Sequence, residues 1–318
     1  QPPEEIDEPL HHFVRLDSPD TAPDLWEEQP GGDPQRIFHN PNRDSTLVVI
    51  AGASEHFAFV EVNQRLYGSG GGWRLWYLDH PGAQPVLLDA ADGPSAVPIL
   101  AMSSDRLVWA AFHGPQGQTT SELLTVTVPG LAKRLLERSP STREQYVFPS
   151  LLGSELVYGV EDLSTGQEHV DLLDLRTPIA MPKRLDRSRD ATMPVLTPGF
   201  VIWKEGPNIF SWGQLVRYSL RDGSIVQLDL GTWSGVLYPS AGRRFVTAWA
   251  NDTTQFYVVD WVSNKAVLLE KFSPAGPLND VHPEIAGDLL VWSRGVSSLD
   301  AQGRPTQPLE LEWARLAP

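Results

Sequence analysis

A short motif occurs six times along this chain, and its spacing limits the folds that the chain can adopt. Each copy is a strand-like segment, a turn of small or polar residues, and an aliphatic segment that ends on an aromatic residue. Successive copies are separated by 50, 51, 45, 45 and 44 residues, and their anchors are Val48, Pro98, Pro149, Pro194, Pro239 and Pro283. Periods of about 40–50 residues are typical of four-stranded propeller blades and of some helical repeats.

The residues between the anchors favour strands over helices. Segments such as Trp73 to Leu78 and Gln255 to Val262 are rich in β-branched and aromatic residues, and turn residues such as Asp222-Gly223 separate them. No window of comparable length places apolar residues at sustained helical spacing. The repeat is therefore predicted to be a unit of strands. Its proline is expected to begin a strand, where the missing N–H is not needed.

We predict an all-β fold, a six-bladed β-propeller with four antiparallel strands per blade, in a single domain over residues 1–318. The blades begin near residues 47, 97, 148, 193, 238 and 282. Because the sixth copy shows only three strands, residues 11–17 are predicted to supply its fourth and to close the ring, with residues 18–45 as the crossing loop. Deletion of residues 1–17 is then expected to lower the melting temperature sharply.

The aromatic residue that ends the second strand of each copy is predicted to lie in the core between neighbouring blades. Such a ring buries about 150–250 Å². The six positions are Phe59, Trp109, Tyr158, Trp203, Trp249 and Trp292.

Charge and composition exclude several classes of function. The formal net charge of −15 repels phosphate backbones and anionic lipid, so nucleic acid is not an expected partner. No segment reaches the roughly 18–20 uninterrupted apolar residues of a membrane helix, so membrane insertion is not expected. The absence of cysteine excludes disulfides and zinc–thiolate sites. The eight histidines are scattered without a ligand pattern, and neither a metal nor a cofactor is expected.

Six copies of a proline-anchored strand, a polar turn, an aliphatic–aromatic strand and two further strands resemble the TolB-type six-bladed propeller over about residues 47 to 318. That family's Ser-Pro-Asp-Gly turn is replaced here by turns such as Ser103-Ser104-Asp105-Arg106, which leaves the functional subfamily open. The resemblance implies a periplasmic, cell-surface or secreted protein of the bacterial envelope that serves as a docking surface. The polar start at Gln1 fits a trimmed end after an export signal, and equally an arbitrary boundary.

The long, irregular loops are predicted to share one face of the propeller, because they join strands two and three of a blade or one blade to the next. Loop aromatics beside charged residues are typical of binding surfaces. We therefore predict a non-enzymatic scaffold that binds a protein, peptide or glycan through this face, although Trp212 and Trp233 could instead cap blade packing. The candidate binding residues are Tyr67, Trp73, His113, Tyr146, Phe210, Trp212, Trp233 and His282.

An alternative function is a hydrolase or lyase that acts on polysaccharide. Glu144, Asp190 and Asp280 precede their anchors at comparable positions, so their carboxylates could converge on the central cavity as acid and base. Solvated loop carboxylates are the other interpretation of these residues. The glycine-rich segment Gly68 to Gly72 lacks the spacing of a nucleophile elbow or a phosphate-binding loop.

Overall fold

The computed structural model describes residues 24–27, 33, 35–42, 44–63, 72–93, 95–114, 119–177, 181–186, 191–206, 213–228, 236–242, 244–250, 255–271, 284–286, 289–294 and 310–316. These ranges contain strands, turns and irregular segments but no helix, and so none that could span a bilayer. The chain divides into two compact units, residues 1–154 and 155–318.

Unit 1 consists of a two-stranded sheet, two four-stranded antiparallel sheets and one further strand. The small sheet pairs β1 (Leu25–Glu27) with β2 (Gln35–Phe38). Sheet 1 has the order β3 (Ser45–Ala53), β4 (His56–Asn63), β5 (Trp73–Leu78) and β6 (Val86–Ala91). Sheet 2 has the order β7 (Ile99–Ser103), β8 (Arg106–His113), β9 (Thr120–Thr127) and β10 (Arg134–Arg138), and β11 (Glu144–Leu152) follows.

Unit 2 continues the same pattern of consecutive antiparallel strands. It begins with strands of sheet 3, in which β12 (Glu155–Asp162) pairs with β13 (Gln167–Asp174) and β13 pairs with β14 (Lys183–Arg184). Sheet 4 contains β15 (Ala191–Thr197), β16 (Phe200–Glu205), β17 (Gln214–Ser219) and β18 (Ile225–Gln227). Sheet 5 contains β19 (Val236–Ala241), β20 (Phe245–Ala250), β21 (Gln255–Asp260) and β22 (Lys265–Lys271). The described residues of sheet 6 form three strands, β23 (Glu284–Ala286), β24 (Leu289–Arg294) and β25 (Glu310–Arg315).

Two of the anchor prolines lie at bulges inside first strands, whereas Pro98 directly precedes β7, at a strand start as the sequence predicted. Pro194 lies within β15, where the pairing register shifts between Thr192 and Val195. Pro239 lies within β19, at a shift between Leu237 and Ser240. A bulge leaves a residue outside the hydrogen-bond ladder, so a proline there removes no ladder hydrogen bond.

Neighbouring sheets pack face to face through apolar clusters. In unit 1, Val60 and Trp73 of sheet 1 share a buried cluster with Trp109 and Val126 of sheet 2. In unit 2, sheets 4 and 5 share one cluster and sheets 5 and 6 another. Four of the predicted core aromatics are at most 1% exposed, namely Phe59, Trp109, Tyr158 and Trp203. The other two lie in β20 and β24, and their side chains fall outside the described part of the chain.

The segment predicted as a crossing loop contains the β1–β2 sheet, which packs on sheet 1. Leu25 and Ile37 are 0% and 2% exposed and share a cluster with Phe57 and Phe59. The sequence did not indicate these strands because they are only three and four residues long and lie among prolines and glycines. The predicted closing strand, residues 11–17, lies outside the described residues.

Among the residues that the structure describes, the outermost strand of each four-stranded sheet pairs on one side only, and several of these strands expose aliphatic side chains. The exposed aliphatic residues of these strands, which we call the rim residues, are Val86, Leu87, Leu135, Val226, Val267, Leu268 and Leu269.

Candidate functional site

A polar cleft of about 180 Å³ lies at one end of sheet 1, where β3 and β5 begin and β4 and β6 end. This is the end at which the loops predicted to form the binding face connect the strands. The lining residues are Asn42, Ser45, Glu61, Val62, Gly72, Trp73, Arg74, Ala91 and Asp92.

The pairing register of sheet 1 brings these residues together from distant positions in the chain. Glu61 of β4 pairs opposite Arg74 of β5, so their side chains lie on the same face of the sheet. Trp73 pairs opposite Ala91 of β6. Gly72 is required at the entrance to β5 because a Cβ atom there would overlap the backbone carbonyl oxygen of Ala91.

Glu61 forms a preorganised acidic wall of the cleft. Its Oε1 accepts a hydrogen bond of 3.0 Å from Nδ2 of Asn42, and its Oε2 accepts one of 2.9 Å from Nε1 of Trp76. Burial acts to raise the pKa of Glu61, but the polar contacts of Ser45, Trp76 and Asn42 and the charge of Arg74 outweigh it and lower the pKa below its usual value. The side chain is therefore ionised and held in place at neutral pH.

A buried polar network beneath the cleft links it to the β1–β2 sheet. Asn40, which is 3% exposed, donates from Nδ2 to Oγ of Ser45 at 3.1 Å. Its backbone N–H donates to Oδ1 of Asp24 at 3.1 Å, and Nη1 of Arg36 donates to Oδ2 of Asp24 at 3.2 Å. The β1–β2 sheet thus fixes the residue that holds Ser45. Sequence reasoning missed this network, although Asn40-Pro41-Asn42 is a recognisable turn signal.

The charges of the cleft sum to a negative value. Glu61 and Asp92 contribute carboxylates against the single guanidinium of Arg74. Arg74 and Asp92 are exposed, so both can turn toward a ligand. Within the described ranges, no group of three or more histidine, aspartate or glutamate side chains is placed to hold a metal ion.

Three of the eight predicted binding residues lie in the described part of the chain, and only Trp73 lines the cleft. Its ring is 1% exposed and its Nε1 donates to Oγ of Ser95 at 3.2 Å, so it forms a wall and not an open stacking surface. Tyr146, in β11, is also buried. His113 ends β8, with Nε2 3.6 Å from Oε2 of Glu122.

The remaining candidates fall outside the residues that the structure describes. They are Tyr67, Phe210, Trp212, Trp233 and His282 among the binding residues, and Asp190 and Asp280 among the carboxylates. Glu144 is half-buried at the start of β11. The convergence of the three carboxylates remains a prediction.

No protein-family model matches this chain, and no curated protein matches it in sequence. Among solved structures, a Mycobacterium tuberculosis puromycin-hydrolyzing peptidase has a TM-score of 0.60 and 13% identity over 92% of this chain. The chain spans 52% of that peptidase, about half of its length.

Two structures of oligogalacturonate lyase are similar over a larger share of their own length. The lyase from Vibrio parahaemolyticus has a TM-score of 0.60 and 11% identity, over 98% of this chain and 91% of the lyase. An oligogalacturonate lyase in complex with manganese has a TM-score of 0.60 and 9% identity, over 93% and 83% of the two chains. At such identities the likeness concerns the fold alone. The chain therefore has the antiparallel, all-β architecture of β-propeller proteins.

Proposed function

We propose that this protein is a non-enzymatic propeller that binds one sugar unit of a neutral or amino-substituted glycan in the polar cleft of sheet 1. The preorganised wall at Glu61 is the observation that carries this proposal. Its carboxylate is fixed by Asn42 and Trp76 before any ligand arrives, so little ordering cost remains for binding.

The size of the cleft limits its ligand to a small group. A volume of about 180 Å³ is below the roughly 300–1,000 Å³ of pockets that enclose drug-sized molecules. The cleft therefore suits a single sugar ring of a longer glycan, and the other sugar units of that glycan would lie along the loop-bearing end of the sheet.

The chemistry of the cleft favours hydroxyl and amino groups over acidic ones. Asn42 and Arg74 supply donors, and Glu61 and Asp92 supply acceptors. Because carboxylates outnumber the guanidinium, and because the whole chain carries −15, uronate polymers and nucleic acid are repelled.

The proposed setting is the one that the sequence favours. The six repeats act as the blades of a TolB-type propeller closed by residues 11–17, in the periplasm, on the cell surface or outside the cell. Its loop-bearing face is the docking surface, and a protein or peptide ligand is the alternative occupant.

Glycan-array screening followed by calorimetry tests the proposal. We expect the wild-type protein to bind neutral or amino glycans, and both Arg74→Ala and Asp92→Asn to weaken binding at least tenfold. Arg176→Ala is the matched control, because Arg176 is an exposed arginine of unit 2 that pairs with Asp174 at 2.8 Å. Binding confined to acidic glycans or peptides, or equal affinity in all variants, would refute the assignment.

The second candidate function is a polysaccharide hydrolase or lyase, and the fold shared with two oligogalacturonate lyases favours it. Glu144, Asp190 and Asp280 are its proposed acid and base. Incubation with a panel of polysaccharides, with detection of new reducing or unsaturated ends, tests it. Activity that survives Glu144→Gln, Asp190→Asn and Asp280→Asn singly would remove these residues from the mechanism.

A further inference from the structure

Two charged side chains of unit 2 are buried almost completely. Glu168 of β13 is 3% exposed and Lys204 of β16 is 0% exposed. Glutamate and lysine are almost never fully buried unless they are paired. Neither residue belongs to the cleft, which lies in unit 1.

The strand registers explain how these groups come together. Glu168 pairs opposite Glu161 of β12, and Lys204 pairs opposite Thr192 of β15. The strand β15 packs against both β12 and β13. A cross-strand pair from one sheet thus faces a cross-strand pair from the next.

The Lys204 side chain lies beside Gly213, which directly precedes β17. A Cβ atom at Gly213 would lie 2.6 Å from Cε and 2.7 Å from Cγ of Lys204. The glycine at this position therefore leaves room for the lysine side chain.

Two buried oxygen atoms of the cluster lack a hydrogen-bond partner among the residues that the structure describes. They are Oε2 of Glu168 and Oγ1 of Thr192. The Thr192 hydroxyl lies close enough to the Glu168 carboxyl to lower its pKa, but without the geometry of a hydrogen bond. An unsatisfied buried acceptor destabilises the fold, and more strongly when it is charged.

Both groups change their protonation state near neutral pH. The pKa of Glu168 is raised to about 7, because burial and the charge of Glu161, which raise it, outweigh Thr192 and Lys204, which lower it. Burial lowers the pKa of Lys204 to about 8, against the charge of Glu168.

Several other charged groups on the surrounding strands are engaged elsewhere. On β13, Nε2 of His169 lies 3.6 Å from Oδ2 of Asp171. On β14, Lys183 donates to the Tyr218 hydroxyl and Arg184 to Asp186. On β16, Glu205 accepts a hydrogen bond from Nε1 of Trp203.

We propose that Glu168 and Lys204 form a buried proton-exchange pair through which pH controls the packing of β13 against β15. When both groups are charged, the interface holds an ionised pair away from water. The desolvation of each buried charge outweighs its attraction to the other, so protonation of Glu168, or loss of the proton from Lys204, relieves this cost and favours the packed interface.

The direction of the pH effect follows from linkage. A carboxyl whose pKa rises on folding from 4.5 to about 7 favours the folded state at low pH, and this contribution is lost as the pH rises through that interval. An amine whose pKa falls from 10.5 to about 8 makes the folded state more stable as the pH rises from 8 to 10.5. The contribution of this pair to the stability of unit 2 is therefore smallest between pH 7 and 8.

Hydrogen exchange of the full chain, followed between pH 5 and 10 and corrected for intrinsic rates, tests the proposal. We expect the protection of β13 and β15 amides to fall at least tenfold from pH 5 to 7.5 and to recover above pH 8. Glu168→Gln should abolish the fall and Lys204→Met the recovery. Glu55, an exposed glutamate in the β3–β4 turn, provides the matched control. Glu55→Gln should keep both the fall in protection up to pH 7.5 and the recovery above pH 8.

A pH profile unchanged by Glu168→Gln and Lys204→Met would overturn the proposal. If the variants do not fold, a carboxyl NMR titration of the wild-type protein decides instead. A glutamate resonance that titrates near pH 7 supports the pair, and titration of all glutamate carboxyls near their ordinary pKa overturns it.

Discussion

Nε1 of Trp109 donates a hydrogen bond of 2.9 Å to Oδ2 of Asp89, and this contact joins sheet 2 to sheet 1. Asp89 belongs to the outermost strand of sheet 1 and also accepts a hydrogen bond of 3.1 Å from Nζ of Lys133. The indole that ends the second strand of one repeat therefore fills the apolar interface and also satisfies a carboxylate of the preceding repeat.

Substitution of Trp109 separates these two contributions. We expect Trp109→Ala to lower the free energy of unfolding by about 3–5 kcal/mol, because it removes a fully buried ring. Trp109→Phe keeps most of the ring but removes the donor to Asp89, and we expect a smaller loss of about 1–3 kcal/mol. Urea denaturation measures both. Equal losses in the two variants would show that the hydrogen bond, and not the ring volume, dominates.

Gly72→Ala is expected to destabilise sheet 1 and to distort the cleft, because the new Cβ atom would overlap the carbonyl oxygen of Ala91. Gly93→Ala is the matched control, since no atom lies within 4 Å of the Cβ position there. Thermal melts should show a lower Tm for the first variant and an unchanged or slightly higher one for the second. Equal Tm values for the two variants would contradict the close approach of Gly72 to the carbonyl oxygen of Ala91.

Leu25→Ala tests whether the β1–β2 sheet is part of the core of unit 1. Because Leu25 is 0% exposed and packs in the cluster that holds Phe57 and Phe59, we expect a loss of about 2–5 kcal/mol. Leu87→Ala, at an exposed rim residue, should change the unfolding free energy by less than about 0.5 kcal/mol. If both variants unfold at the same urea concentration, β1 contributes nothing to the core.

The turn after β21 depends on Asp260, and this dependence should vary with pH. Its Oδ2 accepts a hydrogen bond of 2.7 Å from Nη2 of Arg244, and this contact holds the pKa of Asp260 well below its usual 3.8. Backbone N–H groups of Val262 and Ser263 donate to its Oδ1. A lowered pKa stabilises the folded state above pH 3.8, and that stability is lost only as the pH falls further.

We therefore expect Asp260→Asn to cost about 1–3 kcal/mol at pH 7 and less in strong acid. Arg244→Met should show the same pH trend. A double-mutant cycle in urea should give a favourable coupling energy between the two residues at pH 7. Zero coupling at pH 7 would exclude the ion pair as the source of stability.

The strand content could be predicted from the sequence because it rests on local chemistry. Alternation and β-branched residues located segments such as Trp73 to Leu78, which is β5 as observed. The burial of Trp109 and Trp203 followed from the same pattern, since each aromatic ends an aliphatic strand.

Features that depend on contacts between distant segments could not be predicted. Glu61 is a cleft residue only because Asn42 and Trp76 meet it in the folded sheet. Glu168 and Lys204 stand near strand ends, where charged residues are normally solvated, and only the packing of β15 against β13 buries them. The β1–β2 sheet was not predicted because its strands are only three and four residues long, too short to show a pattern in the sequence.

The rim residues have a practical consequence for work with this protein. The run Val267-Leu268-Leu269 lies on β22, whose outer backbone edge pairs with no other strand in the described part of the chain. Such an edge can template a further strand from another molecule. Purification at high concentration should therefore promote oligomers through strand addition, and a lysine at position 268 should keep the protein in solution as a monomer.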